Sequence, residues 1–123
     1  MVYVVDDDAS VCKSLSMLIL SAGFKVQTFE LAEDLLHSVR QQEGSCLVAD
    51  IEMKGMNGLD LHTKLQEKGI HIPTIFLTAS DTEGNREIAK QKGAHGYLTK
   101  PVDAQALLDT IAWAMTSTHS KKV

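Results

Sequence analysis

The sequence predicts an α/β domain, a doubly wound parallel sheet of five strands with helices on both faces. Five short apolar runs alternate with five amphipathic stretches along the 123 residues, a length typical of one domain. This regular alternation favours parallel strands joined by helical crossovers. The apolar runs are mostly continuous, which is typical of strands that are covered on both faces.

The first part of the chain supplies two strand–helix pairs. Val2–Val5 is a β-branched run with one aromatic residue, and a helical pattern follows it and ends at Gly23. Residues 24–29 form the second strand region, although Phe29 breaks the strict alternation. A second helical pattern follows. The apolar positions of the two helices are Val11, Leu15, Leu18 and Ile19, and then Leu35, Leu36 and Val39.

Three further pairs complete the pattern. Residues 46–49 and 74–77 are apolar strands, and the helix between them ends at Gly69. Residues 83–92 predict a polar, weakly amphipathic fourth helix, and residues 94–98 predict the fifth strand. The apolar positions of the third and fifth helices are Leu59, Leu61 and Leu65, and then Leu107, Leu108, Ile111, Ala112 and Met115.

Composition excludes several classes of protein. The chain is 44% hydrophobic but only 5% aromatic, so we expect an aliphatic core. Its 16 acidic and 12 basic residues do not suggest a nucleic-acid surface, which would carry clustered Lys and Arg. No apolar run is long enough to span a membrane, and no basic segment precedes the first strand as in a signal peptide. Cys12 and Cys46 lack metal-ligand spacing, so we expect reduced thiols in a cytoplasmic protein.

Polar side chains follow four of the five predicted strands. In parallel sheets, ligands bind at the carboxyl ends of the strands, so we expect these side chains to meet. They are Asp6, Asp7 and Asp8 after the first strand, Asp50 after the third, Thr78 after the fourth, and Lys100, followed by Pro101, after the fifth.

This set of groups suits an incoming phosphoryl group. Clustered carboxylates repel one another, and Mg²⁺ supplies the counter-charge that they need. A carboxylate can attack phosphorus to give an aspartyl phosphate, while a metal ion and the ammonium of Lys100 neutralise the equatorial oxygens. Each residue alone has an ordinary explanation; Asp8, for example, predicts a helix N-cap, alone or with Ser10. Their joint placement at strand ends favours the chemical interpretation.

Over nearly its whole length the chain resembles the receiver domains of bacterial two-component signalling. The resemblance implies the flavodoxin-like strand order 2-1-3-4-5. The matching segments are Val4-Val5-Asp6-Asp7-Asp8, Val48-Ala49-Asp50-Ile51-Glu52-Met53, Met56-Asn57-Gly58-Leu59, Phe76-Leu77-Thr78-Ala79, Gly93-Ala94-His95-Gly96-Tyr97 and Lys100-Pro101.

The resemblance also implies a role for each matching residue. Asp50 would be the phosphoacceptor. Asp6, Asp7, Asp50 and the backbone carbonyl of Glu52 would hold Mg²⁺ or Mn²⁺. Thr78 and Lys100 would hold the phosphoryl oxygens, Thr78 and Tyr97 would be the switch residues, and the Lys100-Pro101 peptide would be cis.

The implied function is a phosphorylation-dependent signalling switch rather than an enzyme. A sensor histidine kinase or a phosphotransfer protein would supply the phosphoryl group. The surface formed by the fourth helix, fifth strand and fifth helix would then change and control an output such as transcription. The receiver domain would span residues 1–116, with a polar tail or linker at 117–123. We expect a homodimer on phosphorylation as one possible output, DNA contact only through a further C-terminal domain, and no membrane contact.

Four positions depart from the common receiver pattern. Lys54 stands where many receivers have proline, and Val102 replaces an aromatic residue. Asn57 stands where aspartate is common, and either residue tolerates a left-handed turn. Glu52 is an acidic residue two positions after Asp50, where it is either a solvated carboxylate or a modifier of metal affinity and phosphate lifetime.

Three alternatives stay open from sequence alone. One is a haloacid-dehalogenase-like phosphatase with Asp6 as its nucleophile, but this leaves Asp50 without a role. Another is a receiver-like binding module that is never phosphorylated, although such modules usually lack one of the acidic, Thr or Lys positions. The third is a flavodoxin-like cofactor protein, which would need a phosphate-binding loop where Asp6, Asp7 and Asp8 stand.

Overall fold

The computed structural model of the protein describes residues 1–40 and 44–120, without the side chains of 117–120. Five strands and five helices alternate along it. Their bounds are β1 Val2–Val5, α1 Ala9–Ser21, β2 Val26–Phe29, α2 Ala32–Ser38, β3 Cys46–Asp50, α3 Gly58–Glu67, β4 Thr74–Thr78, α4 Glu83–Gln91, β5 Gly96–Thr99 and α5 Ala104–Ser120.

The five strands form one parallel sheet in the order β2-β1-β3-β4-β5. This confirms the predicted fold and strand order. All residues of β1, β3 and β4 are buried, as the continuous apolar runs predicted, whereas the edge strand β2 is partly exposed.

The sheet separates two hydrophobic cores, because successive side chains of a strand point to opposite faces. On one face, α2, α3 and α4 cover Tyr3, Leu47 and Phe76. On the other face, α1 and α5 cover Val4 and Ile75. Aliphatic residues dominate both cores, as the composition predicted.

Helix ends follow the sequence signals. The carboxylate of Asp8 caps α1 by accepting hydrogen bonds from the backbone N–H groups of Ser10 and Val11, which confirms the predicted N-cap. Gly23 and Gly69 adopt positive φ angles of 92° and 78° just after α1 and α3, a conformation that glycine adopts without steric cost.

The fifth strand begins two residues later than predicted. The backbone N–H of Ala94 donates to the carbonyl of Ala89, and that of Gly93 donates to Lys90. Ala94 therefore closes the end of α4 and does not begin β5, because its donor is already used by the helix terminus.

Helix α5 continues to Ser120, so it includes four residues of the predicted tail at 117–123. Residues 121–123 of that tail lie outside the described residues, and the domain boundary at 116 stays a prediction. Among the described residues, no helix is long and apolar enough to cross a membrane.

Candidate phosphoryl-transfer site

Parallel pairing brings the predicted site residues to one edge of the sheet. Val5 pairs with Ala49 in the register of β1 and β3, so the residues that follow them, Asp6 and Asp50, are neighbours. Asp50 in turn pairs with Leu77, and Thr78 ends the adjacent strand. Asp6, Asp50 and Thr78 are all at most 3% exposed.

Lys100 joins two of the carboxylates. Its ammonium nitrogen lies 2.8 Å from Oδ2 of Asp6 and 3.0 Å from Oδ2 of Asp50. The Lys100-Pro101 peptide bond just beyond this contact is cis. A buried carboxylate pair with one shared cation is an electrostatically costly arrangement, since two negative charges face one positive charge.

The pKa values of Asp50 and Lys100 reflect this arrangement. Burial raises the pKa of Asp50 from 3.8 to about 6, against the hydrogen bond from Lys100, which lowers it, while repulsion from Asp6 adds to the rise. Burial alone would lower the pKa of Lys100, but its hydrogen bonds to Asp6 and Asp50 outweigh that effect and raise it. Perturbed carboxylates of this kind cluster at functional sites.

The start of α3 fixes the backbone of Asp50. Asn57 caps the helix by accepting a hydrogen bond from the backbone N–H of Asp60 at 2.8 Å, and its φ of −83° is extended. Asn57 therefore does not adopt the left-handed conformation that its residue type tolerates; Gly55 takes the positive φ of this loop instead. A Cβ on Gly58 would collide with the carbonyl oxygen of Asp50, so only glycine permits this close approach.

Backbone N–H groups orient the carboxylates of Asp6 and Asp7, which follow β1. The N–H of Asp8 donates to Oδ1 of Asp6 at 2.9 Å, and the N–H of Lys54 donates to Oδ2 of Asp7 at 3.0 Å. Proline has no backbone N–H, so the departure at Lys54 supplies a donor that the common residue lacks. The residue type at position 54 gives no signal of this contact, because the side chain takes no part in it.

The carboxylates of Asp6, Asp7 and Asp50 fit a divalent cation. One oxygen from each lies within 4.8 Å of the others, and Asp7 is exposed to solvent while the other two are buried. Hard carboxylate oxygens at one open edge are the donors that Mg²⁺ and Mn²⁺ prefer, and the open side leaves room for water and phosphate ligands. The backbone carbonyl of Glu52 was the fourth expected ligand. Glu52 lies two residues after Asp50 in the sequence, and its backbone N–H donates to Oδ1 of Asp50 at 3.1 Å.

The side chain of Glu52 makes contacts that the sequence did not predict. Its Oε2 accepts a hydrogen bond from the hydroxyl of Thr78 at 2.6 Å, and its Oε1 accepts one from the backbone N–H of Ala79 at 2.8 Å. Glu52 is exposed, as one of its two expected roles required, but these two hydrogen bonds also tie its carboxylate to the end of β4.

Tyr97 is half-buried and contacts the loop after β4. Its hydroxyl donates to Oδ1 of Asp81 at 3.2 Å, and Asp81 also forms a bidentate ion pair with Arg86 of α4. Burial and then the contact with Asp81 raise the pKa of Tyr97. Of the two predicted switch residues, Thr78 thus directly precedes this loop, and Tyr97 contacts the loop from β5 through Asp81.

Comparison with known proteins decides the family. The family model named "Response regulator receiver domain" matches residues 2–112 of the sequence, which is most of the chain. The chain belongs to the response-regulator receiver family. Its homologues act in two-component signalling, and this membership rules out the haloacid-dehalogenase-like and flavodoxin-like cofactor alternatives.

Transcriptional regulators are among the receiver's relatives. It is 40% identical over 113 residues to Nodulation protein W of Bradyrhizobium diazoefficiens, covering 92% of this chain and 50% of that protein. It is also 40% identical over 114 residues to the Transcriptional regulatory protein TdiR of Thauera aromatica, covering 93% and 50%. The chain thus spans about half the length of these curated relatives.

Solved receiver structures share the fold. The structure of the response regulator StyR superposes with a TM-score of 0.87 at 38% identity, covering 98% of this chain and 61% of that one. FixJ-N superposes with a TM-score of 0.86 at 30% identity, covering 94% and 92%.

Proposed function

We propose that this receiver accepts a phosphoryl group on Asp50. The observation that carries the proposal is the contact of one lysine with two buried aspartates, Asp6 and Asp50, beside a third carboxylate from Asp7. A carboxylate oxygen of Asp50 would attack phosphorus as the bond from phosphorus to the donor breaks, and the product is an aspartyl phosphate.

Lys100 and Thr78 would bind the transferred group. The ammonium of Lys100 already lies within 3.0 Å of the acceptor carboxylate, so it would neutralise charge on a phosphoryl oxygen without a large movement. The hydroxyl of Thr78 would donate to another oxygen. A Mg²⁺ or Mn²⁺ ion held by Asp6, Asp7, Asp50 and the carbonyl of Glu52 would offset the remaining negative charge.

Binding of the new charge would reposition the loop after β4. The aspartyl phosphate would carry about −1.5 to −2 charges at neutral pH in place of the single charge of the carboxylate, and Thr78 would move towards it. Because Tyr97 and Arg86 both contact Asp81 of the same loop, we expect the surface of α4, β5 and α5 to change with it.

A sensor histidine kinase or a phosphotransfer protein is the proposed donor, as two-component signalling implies for this family. The names of the relatives support transcription as the output, and the DNA-binding transcriptional regulator NtrC of Proteus hauseri is 35% identical over 121 residues. DNA would be reached through a further domain.

Both cysteines are free and buried, which supports the expected cytoplasmic location. Homodimerisation on phosphorylation is also part of the proposal.

Intact-mass spectrometry after incubation with a small-molecule phosphodonor tests the acceptor. In the presence of Mg²⁺, the protein should gain the mass of one phosphoryl group. No gain should occur when a chelator is present or in the Asp50→Ala variant. Asp60→Ala removes an exposed carboxylate of α3 and serves as the matched control, which should still be labelled. Folded wild-type protein that gains no mass would favour the remaining alternative, a receiver-like binding module that is not phosphorylated.

A further inference from the structure

The carboxylate of Glu52 occupies the two hydrogen-bond donors that lie nearest the end of β4. One of its oxygens is 2.6 Å from the hydroxyl of Thr78, and the other is 2.8 Å from the backbone nitrogen of Ala79. A planar, negatively charged group with two oxygens, each bound by one donor, resembles two oxygens of a phosphoryl group. Charge-assisted hydrogen bonds of this length are among the stronger ones in proteins.

Neither donor has a second hydrogen to offer. A hydroxyl carries one hydrogen, and so does a backbone amide. The hydroxyl oxygen of Thr78 also lies 3.0 Å from the carbonyl of Ser80 and accepts a bond from the N–H of Ser80 at 2.9 Å. The shorter distance and the negative charge of the carboxylate assign the hydroxyl hydrogen to Glu52. A phosphoryl oxygen that needs this hydrogen must therefore displace Glu52.

We propose that Glu52 is an internal competitor for the phosphoryl group, and that its carboxylate must leave Thr78 and Ala79 before they can bind phosphoryl oxygens. This inference rests on the proposed function of Asp50. It assigns to Glu52 a role in setting how readily the site accepts a phosphoryl group, separate from any role of its backbone carbonyl towards a metal ion.

Charge and exposure make such displacement feasible. Glu52 adds a negative charge to an edge that already holds Asp6, Asp7 and Asp50, so it repels an incoming phosphoryl group as well as occupying its donors. Glu52 is also an exposed residue, whereas Thr78 is completely buried. The displaced carboxylate can therefore be solvated at little cost, and Glu52 opposes binding without preventing it.

Binding of beryllofluoride, a non-covalent phosphoryl analogue, tests the competition directly. Titration calorimetry with Mg²⁺ would compare the full chain with its Glu52→Ala, Glu52→Gln and Glu67→Ala variants. Glu52→Ala frees both donors and keeps the backbone carbonyl, so its Kd should fall about tenfold or more. Glu52→Gln fills the same space with one acceptor oxygen and no charge, so its Kd should lie between those of wild type and Glu52→Ala. Glu67→Ala removes an equal charge from the exposed end of α3 and should bind like wild type.

A second readout needs neither metal nor phosphoryl analogue. Hydrogen exchange of the Ala79 amide in the metal-free protein should be faster in Glu52→Ala than in wild type and Glu67→Ala, because the hydrogen bond to Glu52 is lost. Unchanged exchange would contradict the assigned contact.

The possible results separate this inference from the proposed function. Equal or weaker beryllofluoride binding by Glu52→Ala, with clear binding by wild type, would overturn the competition and leave Asp50 as the proposed acceptor. No binding by wild type or any variant would overturn both proposals. Tighter binding by Glu52→Ala, with Glu67→Ala unchanged, would support both.

Discussion

Helices α3 and α4 follow the two strands that end in Asp50 and Thr78, yet they are packed very differently. Five residues of α3 are buried, whereas Ala89 is the one buried residue of α4. The loop before α3 is also fixed by the close approach of Gly58 to Asp50. The loop before α4 is instead held by polar contacts, those of Glu52 with Thr78 and of Asp81 with Tyr97.

This difference indicates that the two helices have different roles, one fixed and one able to shift. A well-packed α3 holds the backbone of Asp50, the proposed acceptor, in place, as a reacting group requires. A helix with little buried apolar surface costs little free energy to shift, so α4 is suited to follow Thr78 when charge is added at Asp50. The predictions below test this contrast.

Truncation of one aliphatic side chain in each helix should give the largest contrast in stability. Leu61 of α3 is completely buried, and Leu61→Ala should lower the free energy of unfolding by about 3–5 kcal/mol. Ile88 of α4 is 41% exposed, and Ile88→Ala should cost about 1 kcal/mol. Urea unfolding measures both, and equal losses would contradict the difference in packing.

Removal of the charge of Asp50 should stabilise the metal-free protein. The pKa of Asp50 rises from 3.8 to about 6 on folding, so the folded state binds this proton more tightly than the unfolded state does. The free energy of unfolding should therefore decrease as pH rises from about 4 to about 6, and Asp50→Asn should recover up to about 3 kcal/mol at pH 7. Thermal unfolding across this range, with chelator present, measures the effect.

Mg²⁺ provides the matching control for Asp50. It should raise the melting temperature of wild type at pH 7, because it would bind the folded carboxylate cluster according to the proposed function, and should raise that of Asp50→Asn much less. A destabilised Asp50→Asn in the absence of metal would show that the ion pair with Lys100 outweighs the cost of burial.

Replacement of one glycine by alanine in each helix should change the free energy of unfolding in opposite directions. Gly58→Ala places a Cβ against the backbone carbonyl of Asp50 and should cost about 1–3 kcal/mol. Gly84→Ala in α4 meets only the Thr82 hydroxyl, at 3.9 Å, and should stabilise the protein by about 0.5–1 kcal/mol. Denaturant unfolding of the two variants gives the signs. The same sign for both would contradict the close contact at α3.

The smallest effect concerns the contact of Tyr97 with Asp81. Asp81→Asn removes the negative charge beside the phenol, so the pKa of Tyr97 should fall towards its ordinary value of 10.0. Absorbance titration of the tyrosinate measures this, with Tyr97→Phe identifying the signal that belongs to Tyr97 rather than Tyr3. An unchanged titration would place Asp81 away from Tyr97 in solution.

Periodicity predicted the fold and the meeting of the acidic and basic groups, because parallel strand ends share one edge of the sheet whatever the details of the loops. It could not predict the contacts of Glu52, since the direction of a loop side chain is set by the shape of the loop rather than by spacing. The backbone donor of Lys54 has no signature in its side chain. The late start of β5 arises because the helix end uses the N–H of Ala94.

Amide hydrogen exchange of the full chain, with and without a phosphoryl group on Asp50, tests most directly whether α4 shifts while α3 stays fixed. Phosphorylation should change exchange in the loop after β4, in α4 and in β5, while α3 exchanges as before. Asp50→Ala treated with the same donor controls for effects of the donor itself. The same exchange pattern in α4 with and without the phosphoryl group, or a change confined to α3, would contradict the account.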